Sequence, residues 1–158
     1  VEGGSHEADP TGSPMARTCA RLGCPLILMH RRKEPNYKDF WPEILAETSH
    51  LIQRARAAGL PPAQLWVDPG FGFGKTLEHN YALLSNLALF KNLEVPLLVG
   101  LSRKSMLYKP LNNTSASALN ATTTANTIAL LNGVTILRVH DVKEAVEAVK
   151  IVELTTKY

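Results

Sequence analysis

Three polar clusters in this sequence each follow an apolar run that is too short to form a helix. The clusters span residues 68–75, 102–105 and 138–141, and the apolar runs before them span 65–67, 96–101 and 134–137. Short apolar runs of this kind predict buried strands. Because the carboxyl ends of parallel strands share one face, a carboxylate, several cations and a glycine-rich loop are predicted to meet there. Such a face is suited to a polar, partly anionic ligand.

The first cluster combines a carboxylate with three alternating glycines. Gly70, Gly72 and Gly74 allow the backbone to approach a flat ligand closely, and Asp68 can accept paired hydrogen bonds from a guanidine-like heterocycle. The spacing is not that of a P-loop or of a dinucleotide-binding loop, whose glycines are placed differently. The alternative is a strand-ending turn, with Lys75 at the entry to a helix.

The second and third clusters are suited to binding anions. Residues 102–105 lead into a helix start, where hydroxyls and free backbone N–H groups bind carboxylates or phosphates, and Arg103 and Lys104 add positive charge. The alternative is a capping serine beside solvated cations. Arg138 and His140 are two residues apart on a predicted strand, so we expect both on one side of it. For His140, a buried structural histidine is the alternative.

Together the clusters predict one pocket. Asp68 and Lys104 would hold a planar polar heterocycle, and Arg138 with His140 would hold an anion. Each signal is modest alone, but three such clusters at three predicted strand ends are hard to obtain by accident.

The remaining sequence alternates helical and strand patterns. Predicted strands cover residues 25–30, 65–67, 96–101 and 135–139, and predicted helices cover 13–22, 42–59, 77–90, 115–131 and 142–155, with a short helix beginning near Arg103. This order predicts an α/β fold with a parallel sheet covered by helices. Four strands in 158 residues are too few for a closed eight-stranded barrel, which needs about 250 residues. The chain is therefore a small open sheet or the back half of something larger.

Composition narrows the classes of function. Hydrophobic residues make up 45% of the chain and charged residues 20%, as in one globular domain with a core. The net charge of +3 is scattered, so we predict no nucleic-acid partner. No signal-peptide pattern or long apolar run is present, which predicts no membrane span and a cytoplasmic location. Two cysteines and five dispersed histidines show no zinc-binding spacing, so no metal site is predicted.

Residues 110–137 contain no charged side chain. This segment is rich in Ala, Thr, Ser and Asn and is too polar for a membrane helix. It predicts a helix that is either packed tightly on the sheet or buried against a partner subunit.

In this order the three clusters resemble the dihydropteroate synthase family. Residues 28–30 and 78–81 add to the likeness, which runs from about residue 14 to the end. The resemblance implies the C-terminal half of a (β/α)8 TIM barrel, with about four parallel strands and covering helices in residues 13–158. Residues 1–12 would be a loop or the remnant of an upstream strand. It also implies a folate-pathway transferase, inhibited by sulfonamides, that joins 6-hydroxymethyl-7,8-dihydropterin pyrophosphate to p-aminobenzoate and releases pyrophosphate with Mg²⁺ support, as a homodimer.

The resemblance also implies roles for individual residues. Asp68 would hold the amino and ring N–H edge of the pterin and Lys104 its carbonyl side, while Arg138 would stack along both reactants. The other implied roles are pyrophosphate binding by Arg138 with His140, the p-aminobenzoate carboxylate on Ser105, its ring beside Phe73, the pterin on Met29, and further substrate contacts at Gly72, Gly100 and Ser102. Lys104, Arg138 and His140 are the implied catalytic residues.

The first half of that family has no counterpart in this sequence. The missing part includes the metal-binding Asn of the first strand, so the protein ligand of Mg²⁺ is expected to be absent. We predict that this chain alone is weakly active or inactive. The alternatives are a methyltetrahydrofolate-type methyltransferase, which shares the pterin pocket, and a non-catalytic pterin-binding half-barrel.

Overall fold

Helices and strands alternate along residues 14–157, the residues that this computed structural model describes. The strands are β1 (Leu26–Met29), β2 (Leu65–Asp68), β3 (Leu98–Val99) and β4 (Ile136–Leu137). The α-helices are α1 (Pro14–Leu22), α2 (Phe40–Ala57), α3 (Leu77–Ser85), α4 (Ser105–Tyr108), α5 (Leu119–Leu131) and α6 (Val142–Lys157). Short 3-10 helices cover Pro62–Gln64, Leu87–Leu93 and Lys109–Leu111. The predicted loop at residues 1–12 lies outside the described residues.

The four strands are parallel and lie side by side in chain order. β1 pairs with β2, with Met29 opposite Asp68, and β3 pairs with β4, with Leu98 opposite Ile136. A bridge between Val67 and Leu97 joins the two pairs. The order does not reverse, as it does in a doubly wound sheet, so it is the order of a barrel segment.

β3 and β4 are each two residues long, so the predicted strands 96–101 and 135–139 were too long. The chain turns away from the sheet directly after β3, where the N–H of Lys104 donates to the carbonyl of Leu101. Beyond this point β4 has no neighbouring strand with which to form backbone hydrogen bonds. Its last backbone bond to β3 is from the N–H of Arg138 to the carbonyl of Val99, at 2.9 Å.

The predicted helix 77–90 is also divided. α3 begins with a capping box, in which the hydroxyl of Thr76 accepts from the N–H of His79 and the ring of His79 accepts from the N–H of Thr76. It ends at Ser85, and a 3-10 helix follows it. α5 begins at Leu119 rather than at residue 115. The bounds of α1, α2 and α6 lie within two residues of the prediction.

The sheet is apolar on both faces, but only one face is fully covered. Leu65 and Val67 are inaccessible to solvent and belong to the same core as Ile44 of α2. The alternate residues Ile27 and Trp66, which are partners in the register, line an open concavity of about 590 Å³. Ile27 is 43% exposed. The concave face therefore has the composition of a barrel interior without its full covering.

The uncharged segment, residues 110–137, contains α5 and β4 with the loops beside them and the end of a 3-10 helix. α5 contacts α3, α4 and α6, and its residues Ala125 and Ala129 are buried. On its other side Ile128 and Leu131 are exposed. The buried face of α5 is thus explained by contacts with other helices, and both alternatives, tight packing on the sheet and burial against a partner subunit, stay predictions.

Candidate active site

Asp68 ends β2 with its side chain at the mouth of the concavity. It is 7% exposed and lines the cavity together with Met29, Phe73 and Arg138. Burial raises the pKa of its carboxyl, and this is opposed by the N–H of Gly70, which donates to Oδ1 at 2.8 Å, and by the charges of Lys104 and Arg138. One buried carboxylate thus faces several cations.

The glycine loop, residues 70–74, follows directly. All three glycines have positive φ, but two of them serve a purpose that the sequence did not suggest. A Cβ at Gly70 would overlap the carbonyl oxygen of His30, and one at Gly74 would overlap that of Arg32. These glycines admit the chain's own backbone at the exit of β1. At Gly72 a Cβ would lie 3.5 Å from Nζ of Lys104, so close approach to a ligand stays possible only there.

Lys104 connects this loop to the exit of β3. Its Nζ donates to the carbonyl of Phe71 at 2.6 Å and lies 4.6 Å from the ring centroid of Phe73. Burial lowers the pKa of Lys104, while the nearby Asp68 raises it. Ser105 follows as the first residue of α4, where it lines a second cleft of about 440 Å³ together with Gly72.

Arg103 does not take part in an anion site, contrary to the prediction from its cluster. It donates to both carboxylate oxygens of Asp141, at 2.7 and 3.1 Å, and its backbone has a φ of +56°. The N–H of Arg103 also donates to the hydroxyl of Thr122. These bonds hold an otherwise unfavourable backbone conformation. They turn Arg103 toward α5 and α6, while Lys104 faces the glycine loop.

Arg138 and His140 follow β4 in a loop, so strand alternation does not place them on one side as predicted. The guanidinium of Arg138 lies across Gly100, where a Cβ would come within 2.8 Å of Nη2. Nδ1 of His140 lies 2.9 Å from the hydroxyl of Ser102. His140 is exposed, so the alternative of a buried structural histidine was wrong. Arg138 lines the concavity described above, whereas His140 is not among the residues that line it.

A family model described as pterin binding enzyme matches residues 4–140, a range that includes the first two clusters and the third as far as His140. The chain belongs to the pterin-binding enzyme family.

Individual relatives agree with this membership. The chain is 43% identical to the dihydropteroate synthase of Escherichia coli K12 over 86% of this chain and 51% of the relative, and 37% identical to that of Mycobacterium leprae. A crystal structure of the Yersinia pestis dihydropteroate synthase superposes with a TM-score of 0.87 at 44% identity, covering 90% of this chain and 59% of that one. The chain spans about half the length of the curated relatives it matches. The predicted half of a (β/α)8 barrel is confirmed.

A cluster of interacting polar side chains lies beneath the glycine loop, and it was not predicted from the sequence. Nζ of Lys75 donates to Nδ1 of His30 at 3.1 Å, and Nε2 of His30 lies 2.8 Å from a carboxylate oxygen of Glu47. Glu47 also pairs with Arg32, which pairs with Glu43 in turn. Burial lowers the pKa of His30 to about 4 and that of Lys75 to about 7.

A sequence signal for part of this group existed. Glu43 and Glu47 are four residues apart and therefore share a face of α2, and Arg32 follows the strand that α2 covers. The contact between His30 and Lys75 spans 45 residues and has no local signal.

Two further observations concern residues 14–157. These residues contain no group of three or more His, Cys, Asp or Glu side chains that could hold a metal ion. None of their helices has the length and apolarity needed to cross a membrane.

Proposed function

We propose that this chain forms one wall of a dihydropteroate synthase active site. The reaction condenses 6-hydroxymethyl-7,8-dihydropterin pyrophosphate with p-aminobenzoate to give dihydropteroate and pyrophosphate. The observation that carries the proposal is the convergence of Asp68, Lys104 and Arg138 from three successive strand ends. Asp68 and Arg138 line the same cavity, and the charges of both Lys104 and Arg138 act on the carboxyl of Asp68. Membership in the pterin-binding enzyme family supports it.

The pterin would lie in the concavity on Met29. Asp68 would accept hydrogen bonds from its amino and ring N–H groups, because a buried carboxylate is a strong paired acceptor. Lys104 would donate to the carbonyl side of the pterin, since Phe71 uses only one of its three N–H groups. A Thermus thermophilus relative has been solved in complex with 6HMPPP, which supports a pterin ligand for this fold.

Pyrophosphate would leave toward Arg138 and His140. The C–O bond to the pterin methylene breaks with its electron pair on the departing oxygen, and the cations stabilise this developing negative charge. The amino nitrogen of p-aminobenzoate then bonds to the methylene carbon and loses a proton. Gly100 allows Arg138 to lie across β3, and Ser102 orients the ring of His140.

The p-aminobenzoate would occupy the side next to the second cleft. Its carboxylate would bind at Ser105 and its ring beside Phe73, whose own ring lies under Nζ of Lys104. A Xanthomonas albilineans dihydropteroate synthase has been solved with 4-aminobenzoic acid. Holding two flat reactants in register supplies orientation, which is a large part of catalysis in bimolecular reactions.

Residues 14–157 offer no cluster of metal ligands, so they do not fit a resident Mg²⁺ ion. A homodimer and a cytoplasmic location stay predictions.

A non-catalytic pterin-binding half-barrel is the second candidate. The open concave face, with Ile27 43% exposed, favours it. A methyltetrahydrofolate-type methyltransferase is less suited, because it has no use for the anion-binding groups at Ser105, Arg138 and His140.

Titration calorimetry with the pterin pyrophosphate, p-aminobenzoate and pyrophosphate, combined with a pyrophosphate-release assay, tests the proposal. We expect pterin pyrophosphate to bind and turnover by the isolated chain to be weak. Asp68→Asn should lower pterin affinity about 10- to 100-fold, as loss of a charged hydrogen-bond acceptor does. Asp39→Asn, which changes an exposed carboxylate at the start of α2, is the matched control. Pterin binding that is equal in both variants would refute the assignment of Asp68.

A further inference from the structure

Lys75 lies beneath the glycine loop, and its ammonium group is hydrogen-bonded to the loop backbone. Its Nζ donates to the carbonyl of Gly70 at 3.0 Å, to that of Phe73 at 3.2 Å and to Nδ1 of His30 at 3.1 Å. An ammonium group has three N–H donors, and this site offers three acceptors. Two of the acceptors are the backbone carbonyls at the two ends of the loop's tightest turn.

His30 connects Lys75 to Glu47 of α2 through hydrogen bonds. Because an ammonium can only donate, Nδ1 of His30 must accept, and Nε2 therefore carries the proton and donates to Glu47. His30 is 1% exposed and neutral, as its lowered pKa of about 4 requires. Glu47 is held in turn by Arg32. A continuous chain of polar contacts thus runs from a rigid helix to the loop.

The shape of the loop decides where the substrate groups lie. The carbonyl of Phe71 binds Nζ of Lys104, and the ring of Phe73 lies against the same ammonium. The N–H of Phe73 closes the turn on the carbonyl of Gly70 at 3.1 Å. A loop that opened at Gly70 or Phe73 would therefore move Lys104 as well.

We propose that Lys75 is a positioning residue, whose three hydrogen bonds hold the glycine loop in the shape that presents Phe73 and Lys104 to the pterin. This inference rests on the proposed function for its consequence in ligand binding. The loop geometry itself stands independently of it.

The protonation of Lys75 makes the proposal testable by pH. Burial lowers the pKa of Lys75 to about 7, Asp68 and Glu47 act to raise it, and Arg32 and Lys104 act to lower it further. Above this pH the neutral amine has only two N–H donors for three acceptors, so the loop loses a hydrogen bond. The unfolded chain binds this proton more tightly, so global stability rises from pH 7 to 10 while the loop loosens. Local opening and unfolding thus have opposite pH dependences.

Amide hydrogen exchange on the 158-residue chain is the experiment. After correction for intrinsic exchange, protection of the Phe73 amide should fall as pH rises from 6 to 8, while that of Val67, which donates to Pro96 within the sheet, should not. Lys75→Met should reduce Phe73 protection about tenfold at pH 6 and remove its pH dependence, as expected for the loss of one to two hydrogen bonds. Lys143→Met, at a lysine that is 82% exposed, is the matched control.

The affinity of the pterin pyrophosphate gives a second readout. Lys75→Met should weaken it in parallel with loop protection, and His30→Asn, which keeps an acceptor near the position of Nδ1, should retain most of both. If the wild-type chain binds no pterin, the proposed function fails, and the exchange data still decide the role of Lys75. Phe73 protection at pH 6 that is equal in the wild-type chain and in Lys75→Met would overturn the inference.

Discussion

His30 and Asp68, at the exits of β1 and β2, are buried and hydrogen-bonded, whereas Arg138 and His140, which follow β4, are exposed. The first region, the glycine-loop wall, consists of His30 and residues 68–75, and its His30 and Asp68 are 1% and 7% exposed. The second region, the arginine wall, consists of Gly100 and residues 102–105 and 138–141, and its Arg138 and His140 are exposed. The glycine-loop wall is fixed before a ligand arrives, which lowers the ordering cost of binding a rigid heterocycle. In the arginine wall, Arg138 and His140 are left accessible to solvent, which suits the anion that is proposed to bind there.

The largest effect is expected at Gly70, because there the fold itself depends on a missing side chain. Gly70→Ala combines a φ of +72° with an overlap on the carbonyl of His30, and should lower the free energy of unfolding by about 3–5 kcal/mol. Gly23→Ala is the control, since Gly23 has a φ of +66° but no atom near its Cβ position, and should cost about 1–2 kcal/mol. Urea denaturation measures both. Equal losses would mean that the glycine-loop wall is not tightly packed against β1.

The second largest effect is expected from acid, which should lower stability by protonating His30 of the glycine-loop wall. The pKa of His30 is lowered to about 4 in the fold, so the unfolded chain binds more protons between pH 6.5 and 4. Stability should fall across this window by on the order of 2 kcal/mol. Carboxyls with lowered pKa, such as Glu47, add a loss in the same direction at lower pH.

A comparison of variants isolates the histidine. His30→Asn should flatten the stability profile between pH 6.5 and 4, and His50→Asn, which changes an exposed residue of α2, should leave it unchanged. Denaturant titrations at several pH values measure the slope. An unchanged slope in His30→Asn would assign the acid sensitivity to the carboxyls.

Gly100→Ala should change ligand binding at the arginine wall without a large change in stability. Its Cβ would come within 2.8 Å of Nη2 of Arg138, which is the free end of a flexible side chain, so stability should change by less than about 1 kcal/mol. The guanidinium must move, however, and pyrophosphate affinity should fall about tenfold, as for the loss of a charge-assisted hydrogen bond. Calorimetry with pyrophosphate and a urea titration give the two values. A loss of stability without a loss of affinity would contradict the role given to Gly100.

The smallest effect is expected at Asp141. Asp141→Asn breaks the ion pair that holds Arg103, but this pair is partly exposed and the hydrogen bonds from Arg103 to two carbonyls of the loop before α5 remain. Stability should change only slightly, and added salt should reduce the difference. A salt series of thermal melts checks this, and a large salt-independent loss would show that the arginine wall is as rigid as the glycine-loop wall.

The placement of the residues proposed for the site was predictable because each follows a strand. Asp68 and Arg138 directly follow short apolar runs, and parallel strands bring such positions to one face. The lengths of β3 and β4 were not predictable in the same way, because β4 ends where the chain after β3 turns away from the sheet between Leu101 and Lys104. Arg103 and Lys104 also looked equivalent. Their directions depend on Asp141 and Phe71, which are more than 30 residues away in the sequence.

The sequence by itself determined the alternation of strands and helices, the end of the sheet at which Asp68 and Arg138 lie, and the family resemblance that the comparisons confirmed. These properties follow from apolar periodicity and from the order of short motifs, both of which are local. Only the tertiary structure decided that Gly70 and Gly74 admit the exit of β1, that Arg103 faces Asp141, and that Lys75 closes the loop on His30. These depend on distances between segments far apart in the chain, and burial, which sets their pKa values, exists only once those segments are packed together.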